Sequence, residues 1–245
     1  RLGRRVGVLL TANVFGSTVG SFVTGLLLLD WFGTAGTLRL LFVVSALFAI
    51  VAALQSGWSR GRRRLAVAGA ALAAVGLVAV MPGSQAFWAR LHGSAPALVI
   101  QGEDGSGLSV LRGERVDFRR TVVYVNGLGQ SWVPYGGIHT VLGALPAFVH
   151  PEPRKAVLIG LGSGDTLFAM AGRKDLAQIT SVEIIAPQLA TLRSLAAWQG
   201  YPGLSAILQD PRIAHVEGDG RRYLSRRPER YDIIQADALR PHSAY

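Results

Sequence analysis

The pattern of apolar and polar positions divides this chain into two unlike halves. Residues 6–29 (VGVLLTANVFGSTVGSFVTGLLLL) carry no charge. That exceeds the roughly 20 residues that span about 30 Å of hydrocarbon at 1.5 Å per residue. Uncharged stretches at 40–59 and 65–82 follow, with the SRGRRR cluster at 59–64 between them. The pattern predicts three membrane-spanning helices in 1–82, because an ordinary core helix is shorter and polar on one side. Gly16 and Gly20 have the spacing that lets a neighbouring helix approach, with Asn13 able to bond across the contact. Residues 83–96, with Trp88, read as an interfacial linker.

Beyond it the period changes. Residues 97–135 read as a small β domain, with alternation over 106–126 and a turn at Arg112-Gly113. Residues 136–245 read as a Rossmann-like domain. A helix is predicted at 136–149, followed by short apolar strands at 156–161, 179–184, 213–217 and 231–236. Helical stretches near 165–173, 187–199 and 220–226 separate them, and such βαβ alternation predicts a parallel sheet with helices on both faces. The expected fold class is therefore α/β: transmembrane helices, a small β domain and a Rossmann-like, S-adenosylmethionine-methyltransferase-like sheet. That sheet is expected to be C-terminally incomplete at Tyr245, since the fold needs further strands, and a start at Arg1 without methionine suggests a piece of a longer protein.

Composition agrees with a membrane module. Half of the 245 residues are hydrophobic and 16% are charged, with a formal net charge of +10. Of that charge, +8 sits in residues 1–95, where Asp30 is the sole acid, so the basicity lies in loops between apolar runs and no nucleic-acid partner is expected. Arginines before the first and third spans place residues 83–245 outside by the positive-inside rule, whereas an S-adenosyl donor is kept in the cytoplasm. The side is left open, and the expected location is the cell membrane, multi-pass. With no cysteine the chain has no thiolate ligand or thiol nucleophile, and His150, His215 and His242 lack metal-ligand spacing, so no metal site is expected.

In a parallel sheet, ligands bind beyond the carboxyl ends of the strands. The first strand runs into Gly160-Leu161-Gly162-Ser163-Gly164, where glycines permit a tight turn and close backbone approach. The second ends at Glu183, about 20 residues on, where a carboxylate can accept both hydroxyl protons of a ribose. The third ends at Glu217-Gly218-Asp219-Gly220, which can offer a carboxylate to an adenine amino group, and the fourth at Asp237. Acids at three strand tips facing one crevice suit a cationic ligand better than a pyrophosphate. Asp165 is expected to cap or begin a helix.

The segments NGLGQ (126–130), HTVLGALPAFVHPEPRKAVLIGLGSG (139–164), VEI (182–184), DPRIAHVEGDGRRYL (210–224) and YDIIQAD (231–237) resemble the spermidine synthase (polyamine aminopropyltransferase) family over residues 97–245, in its membrane-fused form. The resemblance implies a transferase that binds decarboxylated S-adenosylmethionine, or S-adenosylmethionine, as co-substrate with no permanently bound cofactor. It moves an aminopropyl group to a small-molecule amine. On this resemblance Gly160, Gly162, Ser163 and Gly164 line the donor site, Glu183 holds the ribose, Asp219 and Gly220 contact adenine, Asp237 accepts the proton and His139 contacts the amine. Membrane lipid and a second copy of the chain are the other expected partners.

Two positions depart from the family. Ser163 stands where the synthases have Asp in GGGDG, and Arg240 before Pro241 replaces the second Asp of DxxDP. Their loss removes two negative charges from a diamine site. The alternatives are therefore a methyltransferase using intact S-adenosylmethionine, whose carboxylate Ser163 tolerates, and a non-catalytic nucleoside-binding domain regulating a membrane module.

Overall fold

The computed structural model describes residues 2–115 and 117–237, and the chain divides into two compact units that meet in sequence at 87/88. Arg240, Pro241, His242 and Tyr245 lie outside the described residues.

The first unit is helical. Helix α1 (Leu2–Val23) passes through a wider π turn (Thr24–Leu28) into α2 (Leu29–Gln55), and α3 (Arg60–Val80) follows. Two helical segments, 3–55 and 60–80, are long and apolar enough to cross a membrane. The expected spans 6–29 and 40–59 both lie in the first, which is interrupted at Gly33, whose φ of 61° and ψ of −177° are not helical. The second expected span ends at Gln55 rather than 59, because the chain leaves the helix at Ser56. The third helix begins within the arginine cluster at Arg60 and stops at Val80. Large apolar side chains such as Phe15, Phe48, Leu65 and Leu72 stand exposed, unlike those of core helices. Nothing lies within 4 Å of where a Cβ on Gly16 or Gly20 would sit, so the small-residue pair packs against no helix among the described residues. Instead, Arg39 Nη2 donates to the Met81 carbonyl at 2.6 Å, satisfying a backbone acceptor just past the end of α3.

Helix α4 (Ser84–Leu91) runs across the 87/88 boundary in sequence, and the second unit continues with an antiparallel meander of β1 (Val99–Asp104), β2 (Gly107–Gly113), β3 (Thr121–Val125) and β4 (Leu128–Val133). The turn expected at Arg112-Gly113 is not there, since both residues pair with β3. The tight turn lies at Asn126-Gly127, where both residues take positive φ (49° and 79°), as a two-residue hairpin requires.

Helix α5 (Ile138–Val149) leads into the parallel sheet, in the order β7-β6-β5-β8. Its strands are β5 (Lys155–Ile159), β6 (Gln178–Glu183), β7 (Ile213–Glu217) and β8 (Ile233–Ala236). Between them run α6 (Asp165–Ala171), α7 (Pro187–Gln199), α8 (Pro202–Gln209) and α9 (Gly220–Ser225). Helix α8 has no counterpart in the sequence reading. Its short stretch after Gly200-Tyr201-Pro202 resembles a loop until Leu204 and Ile207 are seen buried in the core.

One core joins the two sheets. Leu111, Phe118 and Val123 of the meander region cluster with Leu158, Leu167, Leu192 and Leu195 of the parallel-sheet layer. Helix α7 is held to the meander by the 2.7 Å hydrogen bond between the Ser109 and Thr191 hydroxyls, and by the Ala186 amide donating to Ser106 Oγ at 2.9 Å. The alternating strands thus hold the loops at the tips of β4, β5, β6 and β8 in fixed relation.

Candidate active site

Where β5 ends, the chain turns through Gly160, Gly162 and Gly164 with φ of 93°, 53° and 90°. A side chain on Gly164 would meet Ile207 and the Tyr135 hydroxyl. Glycine is required there on both conformational and steric grounds. Tyr135 donates to the Ser163 carbonyl at 3.0 Å, and burial, followed by the nearby Asp165 charge, holds its phenol far above the ordinary range. Gln188, fully buried in α7, donates Nε2 to the Gly162 carbonyl at 2.6 Å. The loop is therefore clamped from two sides.

Glu183 ends β6 against this loop. Its Oε2 accepts from the Leu161 amide at 2.7 Å and its Oε1 from the Ile185 amide at 2.9 Å. It does not cap α7, whose first residue is Pro187. Each oxygen retains a second acceptor site, which suits a pair of vicinal hydroxyls. In the parallel register Glu183 stands beside Glu217, and both line a narrow cleft with Leu161, Ser181 and His215. His215 is lowered from the ordinary histidine range, chiefly by burial.

Leu161 also lines a second narrow cleft, with Gly162, Ser163, Asp165, Thr166, Gln130, Ser131, His139 and Asp237. His139 lies in the first turn of α5 and Asp237 follows β8. Although 98 residues apart, they meet with Nδ1 at 2.9 Å from Asp237 Oδ2, and His139 Nε2 lies 3.1 Å from the Gln130 carbonyl. The Thr166 hydroxyl donates to the same Oδ2. Asp237 Oδ1 has no hydrogen-bond partner among the described residues.

Asp165 is the first residue of α6, but Gly164 is its N-cap. The buried Asp165 carboxylate instead accepts from Thr140 Oγ1 at 2.6 Å and the Gly136 amide at 3.1 Å, tying the start of α5 to α6. The structure also revises the expected crevice of three acids. Asp219 lines neither cleft; its Oδ1 accepts from the Arg222 amide at 2.6 Å and caps α9. Gly220 is buried because a side chain there would collide with Ile159 of β5. Glu217 takes the place beside Glu183 because it is the residue in register with it.

Among the candidate residues, then, Gly162, Ser163, His139 and Asp237 meet in one cleft, Glu183 lies in its neighbour, and Leu161 borders both. Sequence reasoning missed Thr166, Gln130, Ser131 and Gln188. Their roles rest on contacts across elements, and only the segment carrying Gln130 had stood out.

No family model matches the chain. Several curated relatives named polyamine aminopropyltransferase do. That of Desulforudis audaxviator is 29% identical over 129 residues, covering 52% of this chain and 45% of the relative. That of Yersinia pestis is 32% identical over 104 residues, covering 42% and 33%. Over these stretches the chain is similar in sequence to the two polyamine aminopropyltransferases. It spans less than half the length of these two relatives. A crystal structure of spermidine synthase from Thermotoga maritima is 23% identical, with a TM-score of 0.48, over 58% of this chain and 48% of the other.

Proposed function

We propose that this chain is a membrane-anchored, spermidine-synthase-like transferase that binds an S-adenosyl donor and moves an aminopropyl group to an amine. The observation that carries the reading is the convergence of His139 and Asp237 on a cleft bordered by Leu161, beside the cleft of Glu183. A nucleoside with its ribose on Glu183 and its sulfonium near Gly162-Ser163 would present a reactive carbon toward Asp237.

The acceptor ammonium first gives a proton to Asp237 Oδ1. The neutral nitrogen then attacks the methylene beside the sulfonium, the C–N bond forms, and the C–S electron pair leaves on sulfur as a neutral thioether. The site's contribution is alignment and proton removal. Asp219, on its exposed cap, would reach adenine only through its remaining oxygen, with Gly220 leaving room for α9. Residues 3–55 and 60–80, long, apolar and largely exposed, support anchoring in lipid.

Ser163 favours a second reading. It brings no charge to the cleft where an intact donor's carboxylate would lie, and this suits methyl transfer. Turnover by the full chain in detergent, with both donors and a panel of amines, tests the two: 5′-methylthioadenosine marks aminopropyl transfer and S-adenosylhomocysteine marks methyl transfer. Asp237→Asn should abolish either product while nucleoside binding persists. Nucleoside binding without product from any donor would leave the non-catalytic reading.

A further inference from the structure

Where α4 gives way to the meander, a groove opens that shares no residue with either cleft. Arg90, Ser94, Ala95, Leu98, Arg112 and Glu114 line it. Arg90, in the last turn of α4, is exposed, and Arg112 is half-buried on β2. The Arg112 guanidinium lies over the Tyr124 ring, 5.5 Å from its centre, and Nη1 donates to the His92 carbonyl at 3.1 Å. Those two contacts aim the planar fork. Its remaining nitrogens, the Arg90 guanidinium and the Ser94 hydroxyl have no hydrogen-bond partner among the described residues. Glu114, the acid of the groove, faces a third cation, Arg120, at 3.6 Å. The groove therefore offers two guanidinium groups and a hydroxyl to a ligand that is anionic and carries several acceptor oxygens, which is the chemistry of a phosphate ester.

What surrounds those donors separates a lipid from a free anion. Leu91, beside Arg90, is 62% exposed, Ala95 is exposed, and Leu98 is half-buried in the wall of the groove. Inorganic phosphate has no use for such a rim, whereas the glycerol and first methylenes of a phospholipid bury against it. The chain also limits where the groove can lie. Helix α3, long and apolar enough to cross a membrane, ends at Val80, and α4 begins at Ser84. An extended link from Val80 to Ser84 and the helical rise to Arg90 together reach about 25 Å at most, so the chain alone keeps Arg90 near the end of that helix. Basic side chains close to a span are drawn to anionic headgroups, an attraction that fades over a Debye length of about 8 Å.

We propose that this groove is a docking site for the phosphate of an anionic phospholipid, held by Arg90, Arg112 and Ser94, which seats the second unit on the bilayer. The proposal rests on the reading of 3–55 and 60–80 as membrane-anchoring helices and goes beyond the transferase reading, which concerns the two clefts alone.

The test uses the full chain in lipid nanodiscs. The chain has no cysteine, so a spin label on Ala97→Cys, in the turn Pro96–Leu98, is unique and exposed. Its accessibility to a water-soluble nickel chelate is compared between discs of phosphatidylcholine and discs in which one lipid in four is phosphatidylglycerol. Phosphatidylglycerol should lower the accessibility at least threefold. Arg90→Glu, at an exposed position, should abolish the fall, and so should Arg112→Gln, whereas Arg193→Glu, an equal charge change on the exposed side of α7, should leave it. Equal accessibility in both discs overturns the proposal, as does a fall that survives Arg90→Glu and Arg112→Gln. Millimolar inorganic phosphate added to phosphatidylcholine discs should change nothing. A fall matching that of phosphatidylglycerol would give the groove to a free anion and overturn the lipid. A chain that leaves the discs and stays in solution without detergent overturns the anchoring reading itself, and the docking site with it.

Discussion

The Leu161 amide donates to Glu183 Oε2 at 2.7 Å, so the carboxylate assigned to the ribose also shapes the glycine loop beneath it. Ile185, two residues on, donates to the other oxygen. Glu183→Ala should therefore act twice. It removes charge-assisted contacts to the nucleoside, about 1.5–3 kcal/mol, or roughly ten- to a hundredfold in affinity for 5′-methylthioadenosine. It also strands two amides, lowering stability by about 1–3 kcal/mol. Calorimetry and thermal denaturation read the two effects separately, and unchanged affinity would remove Glu183 from the site.

Thr166 acts through Asp237. Its hydroxyl and His139 Nδ1 both meet Oδ2. Thr166→Val keeps the shape and deletes the donor. Turnover should fall roughly tenfold, matching about 1.4 kcal/mol, while the KM for the donor stays within about twofold. An equal loss in thermal stability and in donor KM would mark Thr166 as structural only.

Gly143 on α5 faces α6 so closely that a Cβ would overlap the Thr166 carbonyl. Backbone cannot yield as a flexible side chain can. Gly143→Ala should push α5 from α6, costing about 1–3 kcal/mol of stability and separating His139 from Asp237. Denaturant titration checks the first effect. The turnover of the folded fraction checks the second, and retention of both properties would show that the helices can part without cost to the site.

Arg212 ties the start of β7 to the turn after α6. It pairs with Asp210, Nη2 to Oδ2 at 2.6 Å, and donates to the carbonyls of Ala171, Arg173 and Leu176. The Arg212 hydrogen bond is the largest cause holding the Asp210 carboxyl below its ordinary value. Because that value is depressed in the folded state, the stabilisation is full above the unfolded carboxylate range and is lost as pH falls through the folded value. Asp210→Asn should flatten this acid limb of the stability–pH curve, measured by thermal denaturation from pH 7 down to pH 3. A limb identical to wild type would assign the acid sensitivity to other carboxylates.

The pattern of charges and apolar residues determined much of this protein by itself. Uncharged runs of about 18 to 24 residues are hard to hide in a small soluble core, so the long helices of residues 2–80 were legible from 6–29, 40–59 and 65–82. Strand and helix periods differ, so β5, β6, β7 and α7 were placed within a residue or two, and with them the tips carrying Gly160–Gly164 and Glu183. The Asn126-Gly127 hairpin was legible in principle, since few dipeptides accept two positive φ angles, but the sequence reading places the turn at Arg112-Gly113. What only the tertiary structure decided is where side chains point and what they meet. Asp219 and Glu217 are two residues apart, yet one caps α9 and the other stands in register beside Glu183, a choice made by strand pairing and the turn at Gly218. The contact of His139 with Asp237, the hydroxyl of Thr166 behind them and the carbonyl of Gln130 in front come from four separate elements. No local period encodes such a meeting, because it depends on how α5, α6, β4 and β8 pack around a shared core.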